Sequence, residues 1–314
     1  MKKKLVAGAV TLLSVVTLAA CANGTNKDIV TMKGDTITVS DFYDEIKTNQ
    51  GAQQVLFQMT INKVFEKEYG SKVSDKEVDK ELAKQKKQLG NQFNAYLAQQ
   101  GLTEETAKKQ IRSNMLLEYA VNQAAKKDIK ESDYKSAFES YTPEVTAQII
   151  KLDSEDKAKE VLEAAKAEGA DFAQIAKDNS TDTATKDKGG EVKFDSGTAD
   201  IPSQVKEAAF KLDENGISDV ITVSAGQNYS ASYYIVKLNK KTEKGSDWKK
   251  YEKRLKEIIV DGRKQDTNYI RSIIAKAMTN ANIKVKDDAF KSTFNQYLQN
   301  IGVQTSDSSS SSKK

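Results

Sequence analysis

Residues 171–194, which read DFAQIAKDNSTDTATKDKGGEVKF, contain the signals that decide the fold of the central part of this chain. Phe172, Ile175 and Ala176 recur at helical spacing and predict a short helix. The pair Gly189-Gly190 predicts a turn, and residues 191–194 then predict a β-strand. A helix, a polar loop and a strand in close succession are typical of a small α+β domain.

The same pattern continues on both sides of this segment. Upstream, residues 144–152 (EVTAQIIKL) are rich in β-branched residues and predict a strand, and residues 155–168 predict an amphipathic helix. Downstream, a helix is predicted near Val205–Phe210, and strands at Val220–Val223 and Tyr233–Leu238. We therefore predict one compact α+β domain of about 100 residues with a small antiparallel sheet.

Helices are predicted on either side of this domain. Between residues 40 and 140, Ser74 and Glu77 match a capping box, and Thr103 is placed to cap another helix. From Asp247 onward, apolar residues again recur at helical spacing. An α+β domain inserted between two helical arms would allow both arms to pack into one lobe.

The N-terminus contains Leu18-Ala19-Ala20-Cys21, which includes the single cysteine of the chain. Lys2–Lys4 are positive, and Leu5–Leu18 is an uncharged apolar run shorter than the roughly 20 residues of a membrane span. The stretch resembles the lipobox of bacterial lipoproteins, in which the signal peptide is removed and the new N-terminal cysteine carries lipid. An ordinary signal peptide with a chance cysteine is the alternative. The lipobox predicts a chain anchored by lipid at Cys21 to the outer, extracytoplasmic face of a cell membrane.

The composition excludes several kinds of chemistry. The chain of 314 residues has no histidine, which excludes a Ser-His-Asp triad and a histidine general base. With Cys21 used for lipid, it has no disulfide and no cysteine nucleophile. A zinc site would need carboxylates alone, so we expect no metal and no cofactor. Without the three lysines of the signal, the formal net charge falls from +4 to +1, which gives no reason to expect a nucleic-acid partner.

The central domain resembles parvulin, a family of peptidyl-prolyl cis-trans isomerase domains. The match rests on several motifs that occur in the family's order. These motifs are Asp171–Lys177, Asn179–Asp182, Gly189–Phe194, Val205–Leu212, Gly216–Ile221 and Tyr234–Leu238.

With its lipobox and helical flanks, the whole chain looks like the PrsA/PrtM-type foldase lipoproteins of Gram-positive bacteria. The resemblance implies a foldase that assists unfolded or newly exported polypeptides between the membrane and the cell wall. It also implies that the helical arms form a chaperone lobe, and it leaves homodimer formation open.

The chain departs from the parvulin pattern at the polar positions. Parvulins usually carry two histidines, where this chain has Gln148 and Tyr234, and only the central polar position is kept, as Asp182. Neither Gln nor Tyr titrates near neutral pH. We therefore expect the prolyl isomerase activity to be weak or lost.

Catalysis by a non-histidine site stays open, because rotation about an amide breaks no bond. An apolar pocket that binds the twisted X-Pro amide better than the planar forms would suffice. The resemblance gives Ile201, Val205 and Phe210 as candidate substrate-binding residues, with Phe194 nearby. Phe194 and Phe210 also suit a plain core position.

Apolar residues of the helical arms are candidates for a chaperone cradle, or alternatively for the arms' own core. They are Phe57, Phe65, Phe93, Tyr96, Tyr297 and Leu298.

The sequence divides into six predicted parts. They are a lipoprotein signal peptide (1–20), a tether (21–35), an N-terminal helical arm (36–141), a parvulin-like domain (142–241), a C-terminal helical arm (242–301) and a disordered Ser-rich tail (302–314).

Three functions are compatible with these features. The first is a foldase that mainly holds its clients, and the second is an active isomerase that uses Asp182, Tyr234 and Gln148 as a substitute polar cluster. The third is a solute-binding lipoprotein of a transporter, for which two lobes of alternating strands and helices would be expected.

Overall fold

The computed structural model describes residues 27–225 and 230–298. The predicted signal peptide, Cys21 and the Ser-rich tail lie outside these residues. The strands are β1 (Asp28–Met32), β2 (Asp35–Thr38), β3 (Val145–Leu152), β4 (Glu191–Phe194), β5 (Ile221–Ala225) and β6 (Ser230–Lys241). The α-helices are α1 (Val39–Ile46), α2 (Gln50–Tyr69), α3 (Asp75–Leu89), α4 (Phe93–Gln99), α5 (Glu104–Lys127), α6 (Glu131–Ser140), α7 (Glu155–Lys166), α8 (Phe172–Asn179), α9 (Ser203–Lys211), α10 (Glu252–Gln265), α11 (Thr267–Asn280) and α12 (Lys291–Leu298).

The predicted α+β fold, with a small antiparallel sheet among helical regions, is confirmed. The central sheet has the strand order β4-β3-β6-β5, and every neighbouring pair is antiparallel. Local signals in the sequence start its helices and those of the arms. Asp171 caps α8 by accepting from the backbone N–H groups of Ala173 and Gln174, and Ser74 forms the predicted capping box with Glu77.

Side chains on the two faces of the central sheet form separate apolar cores. One core joins Val145, Ala147 and Ile149 of β3 to Val205 and Ala209 of α9. The other joins Ile150 and Leu152 of β3 to residues of α7 and α8, including Val161 and Phe172. Because successive side chains of a strand point to opposite faces, β3 contributes to both cores and is the structural centre of the domain.

The described residues divide into two compact units, residues 27–68 with 274–298 and residues 69–225 with 230–273. This division cuts across the predicted helical arms, so the predicted domain boundaries stay predictions. In the first unit, the N-terminal and C-terminal segments share a core, since the rings of Phe57 and Phe294 meet edge to face at 5.4 Å. The Gln53 side chain also donates to the carbonyl of Ala289 at 3.0 Å.

The first unit begins with a β-hairpin in which β1 pairs with β2. Strand β1 lies within residues 21–35, which the sequence predicts as a tether. Strand β2 ends at Thr38, which caps α1 through a capping box with Asp41.

In the second unit, α10 of the C-terminal arm packs with helices of the N-terminal arm. Arg263 of α10 donates to the carbonyl of Ala125 in α5 and to the carboxylate of Asp133 in α6, both at 2.8 Å. Residues of the two arms therefore pack together within each unit, and the formation of one chaperone lobe by both arms stays a prediction.

A buried ion pair joins the central domain to α10. Arg254 donates two hydrogen bonds to Asp195, at 2.6 and 2.8 Å, and the Asp195 side chain is 8% exposed. Tyr141, at the start of the domain, donates a further hydrogen bond to the same carboxylate. A side chain at Gly197 would overlap the Ile258 side chain of α10, so glycine allows the loop after β4 to approach α10 this closely.

The Asp195 carboxylate is held in its charged form. Burial raises the pKa of Asp195, but hydrogen bonds and the positive charge of Arg254 lower it by more. The pKa of Asp195 therefore lies below its usual value. A carboxyl group with a lowered pKa stabilises the folded state above its unfolded pKa of about 4, and this stabilisation is lost in acid.

Replacing Arg254 by Met should lower the free energy of unfolding by about 3 kcal/mol at neutral pH, because it leaves Asp195 buried without its cation. The difference from the wild type should shrink as the pH falls below about 4, because the wild type then progressively loses the stabilisation that comes from the lowered pKa of Asp195. Chemical denaturation across this pH range measures both effects. Lys166→Met is the matched control, since its ion pair with Asp219 is exposed and should contribute at most about 1 kcal/mol. Equal losses in the two variants would contradict the role of the buried pair.

Candidate functional site

The candidate isomerase site lies on the face of the central sheet that α9 covers in part. Tyr234 of β6 pairs with Lys151 of β3 and with Ile221 of β5, and it packs half-buried against the core on this face. Burial raises the pKa of Tyr234, and the negative charges of Asp182 and Asp153 raise it further. Tyr234 therefore stays a neutral hydroxyl that can donate or accept one hydrogen bond.

The same face has a half-buried apolar wall. It includes two of the predicted substrate-binding residues, Ile201 and Phe210. The other two, Phe194 and Val205, are 1% and 0% exposed and belong to the core beneath the wall. The ring centroids of Phe194 and Phe210 lie 5.8 Å apart, so Phe194 supports the wall from within the core.

Gln148 lies apart from the other predicted polar residues. Its position on β3 alternates with those of Ala147 and Ile149, so it lies on the opposite face from Tyr234. Its side chain donates to the carbonyl of Gly189 at 2.9 Å, which ties β3 to the turn before β4. The proposed cluster of Asp182, Tyr234 and Gln148 is therefore not formed.

The residues of β3 nearest to Tyr234 on its face are Lys151, its cross-strand partner, and Ile149, and neither was predicted from the sequence. Counting in steps of two along the strand would have revealed them, because cross-strand partners lie on the same face. Lys151 brings a positive charge to this face, whereas Ile149 adds to the apolar core.

Asp182 has a local structural role. One carboxylate oxygen accepts from the backbone N–H of Ala184 at 3.1 Å, and the other accepts from the Thr185 hydroxyl at 2.6 Å. Both bonds close the turn that leads toward Gly189, as Asp side chains commonly do. The backbone of the preceding Thr181 bonds to Lys151 of β3, so this turn is fixed beside the strand.

The second candidate site is an apolar cleft in the first unit, between α2 and the segment that leads into α12. Its volume is about 780 Å³. Val55 and Met59 line it and are 60% and 51% exposed, and Phe290 and Phe294 lie on its other side. Exposed apolar surface of this kind is typical of a site that binds another molecule.

Most of the described residues that were predicted to line a chaperone cradle are instead buried in the cores of the helical regions. Phe57, Phe65 and Phe93 are buried and close the cores of the helical regions, whereas Tyr96 is 46% exposed. The side chains of Tyr297 and Leu298 lie outside the described part of the chain. Val55 and Met59, which line the cleft from α2, are instead exposed.

Within the described residues, no helix is long and apolar enough to cross a membrane. In the same part of the chain, no group of three or more Cys, Asp or Glu side chains is arranged to hold a metal ion.

The four-stranded antiparallel sheet, its helices and the apolar wall define a protein with a parvulin-type domain among helical regions. A sequence model of the rotamase (PPIC-type PPIASE) domain matches residues 140–240, which nearly coincide with the predicted range 142–241. Foldase protein PrsA of Streptococcus sanguinis is 63% identical over 302 residues, which cover 96% of this chain and 90% of that protein. PrsA of Streptococcus gordonii is 60% identical over the full length of both chains.

Solved structures that are similar to this chain are also PrsA foldases. The crystal structure of foldase protein PrsA from Streptococcus pneumoniae has a TM-score of 0.78 at 55% identity, covering 86% of this chain and 99% of that one. PrsA from Lactococcus lactis has a TM-score of 0.65 at 39% identity, with the same coverage. The chain belongs to the PrsA foldase family, and a foldase role with a parvulin-type domain is thereby established.

Replacing Asp182 by Ala should lower the free energy of unfolding by about 1–2 kcal/mol, because two hydrogen bonds that close the turn are lost. Thr185→Val should cost part of the same energy, and the double variant should lose less than the sum. Asp187→Ala, at an exposed position of the same loop, is the control. Thermal or denaturant unfolding measures all four proteins. An unchanged stability of Asp182→Ala would contradict the capping role.

Proposed function

We propose that this foldase acts mainly by holding unfolded or newly exported polypeptides, and that the cleft of the first unit is the surface that binds them. The observation that carries the proposal is the exposure of Val55 and Met59 over a cleft of about 780 Å³. An unfolded chain exposes apolar side chains in many sequences, and burial of apolar surface is non-directional. A broad apolar cleft therefore suits clients that share no common motif.

Charged residues also line the cleft, and one of them forms a hydrogen bond that helps to fix its shape. Lys284, Lys286 and Asp287 are among the lining residues, and Asp287 accepts a hydrogen bond from Tyr43 at 2.7 Å. This bond ties the C-terminal segment to α1 and holds the two sides of the cleft together. A preformed cleft binds without first ordering its own walls.

The same proposal assigns weak or no prolyl isomerase activity to the parvulin-type domain. The chain has no histidine, Asp182 is engaged in closing a turn, and Gln148 lies on the opposite face from Tyr234. The half-buried wall with Ile201 and Phe210 favours binding of an apolar segment near proline. Because this wall is retained, an isomerase that acts through shape alone is the second candidate.

A solute-binding lipoprotein is not retained as a candidate. Two lobes of alternating strands and helices would be expected for that class, whereas the described strands form one two-stranded and one four-stranded antiparallel sheet. The relatives named above are foldases.

The proposed location is the outer face of a cell membrane, with lipid on Cys21. Support for it comes from Lys2–Lys4, the apolar run that follows and the small residues before the single cysteine. Homodimer formation stays a prediction of the family resemblance.

Replacing Val55 and Met59 together by Gln should weaken the suppression of aggregation of a reduced, unfolded lysozyme several-fold. Gln favours helix formation about as well as Met, and both positions are exposed, so the free energy of unfolding should change by less than about 0.5 kcal/mol. Light scattering during dilution of the unfolded lysozyme measures the effect. Tyr96→Gln, an exposed apolar position of α4, should behave like the wild type. Unchanged suppression by the double variant would contradict the assignment of the cleft.

A further inference from the structure

The β-hairpin at the start of the first unit has an exposed apolar face that no function above uses. Val30 and Ile37 are cross-strand partners, and Met32 lies two residues beyond Val30 on the same face. Their side chains are 46%, 41% and 51% exposed, and all five residues of β1 are exposed. An isolated two-stranded hairpin is only marginally stable in water, and the exposed apolar residues of this one favour a partner for this face.

The position of the hairpin in the chain limits what can cover it. Asp28, the first residue of β1, follows Cys21 by seven residues. A fully extended chain spans at most about 3.6 Å per residue, so the hairpin starts within about 25 Å of the α-carbon of Cys21. A lipid on Cys21 would therefore hold the hairpin beside the membrane surface at all times, at a high effective concentration.

We propose that the hairpin lies against the lipid bilayer, with Val30, Met32 and Ile37 in contact with its interfacial region. This inference rests on the lipid anchor at Cys21 proposed above. The charges of the hairpin, Lys27, Asp28, Lys33 and Asp35, sum to zero, so apolar contact rather than attraction to anionic lipids carries the binding. The bond from the backbone N–H of Val39 to the carbonyl of Lys27 fixes the hairpin to the start of α1, so the body of the first unit is held close to the membrane.

Tryptophan fluorescence can test this contact, because Trp248 is the single tryptophan of the chain. Trp248→Phe keeps an aromatic ring against Tyr134 and removes the background signal. Val30→Trp in this background is the probe, and Tyr96→Trp, on a helix of the second unit, is the control. Each chain, starting at Cys21, is coupled through its thiol to a maleimide phospholipid. The anchored proteins are then examined in phosphatidylcholine–phosphatidylglycerol vesicles with and without brominated acyl chains.

The expected result is a blue-shifted emission of the tryptophan at position 30 and the loss of most of its intensity to brominated lipid, with no such loss at position 96. Equal quenching at the two positions would overturn the proposal. A blue shift without quenching that grows with the protein density on the vesicle would assign the face to a second copy of the chain. A change that needs added unfolded polypeptide would assign it to a client. Either of these results also overturns it.

A second set of variants separates apolar contact from mere proximity. Val30→Thr and Ile37→Thr keep β-branched residues in the hairpin but remove apolar surface. With Met32→Trp as the probe, this pair should reduce quenching to the level of position 96, and full quenching would contradict the proposal. Because the thiol coupling supplies the anchor, these results do not depend on native lipidation. Incorporation of labelled palmitate into the wild type and into Cys21→Ser tests that modification separately.

Discussion

The two-residue alternation of β3, at the centre of the four-stranded sheet, is the constraint on which the parvulin-type domain depends. Side chains of Ala147 and Ile149 enter the core beneath α9, while those of Ile150 and Leu152 enter the core beneath α7 and α8. A shift of one residue in the pairing of β3 would exchange these faces and place polar side chains in both cores. The alternation therefore fixes the fold, and it also decides which side chains can meet on the candidate isomerase face.

The alternation of β3 also decides which polar side chains can meet on the candidate isomerase face. Tyr234 and the half-buried wall share one face, but Gln148 is on the other, and Asp182 is engaged in its own turn. An apolar surface without a polar cluster can bind a proline-containing segment, yet it offers few groups that would favour the twisted amide over the planar one. The exposed cleft of the first unit adds apolar surface elsewhere in the chain. Both surfaces are suited to reversible binding of unfolded polypeptide.

Most of the fold could be predicted from the sequence because its signals are local. The caps at Ser74, Thr103 and Asp171 and the glycine pair before β4 mark element ends within a few residues. The pair Asp195–Arg254 could not be predicted, since 59 residues separate its members and neither has a distinctive neighbourhood. The hairpin strand β1 was also missed, because it is only five residues long and directly follows the polar residues 23–27.

The candidate site was predicted less well than the fold, for two physical reasons. Family motifs indicate which positions matter, but only strand alternation shows that Gln148 and Tyr234 point to opposite faces. Burial of Phe194 and Val205 likewise depends on how α9 packs on the sheet, which the local sequence does not specify. The cleft was missed because Val55 and Met59 follow the same helical spacing as the buried residues of α2, and tertiary packing decides which apolar residues stay exposed.

We propose that this foldase binds proline-containing segments without accelerating their cis-trans isomerisation. The most direct test is exchange NMR spectroscopy of an unstructured alanine-proline peptide, which measures the rate of cis-trans exchange with and without the protein. We expect resonances of the peptide to broaden or shift through binding, while the cis-trans exchange time stays close to the uncatalysed value of tens to hundreds of seconds. Exchange accelerated by a catalytic amount of the protein, to the extent seen with a parvulin that has both histidines, would contradict it.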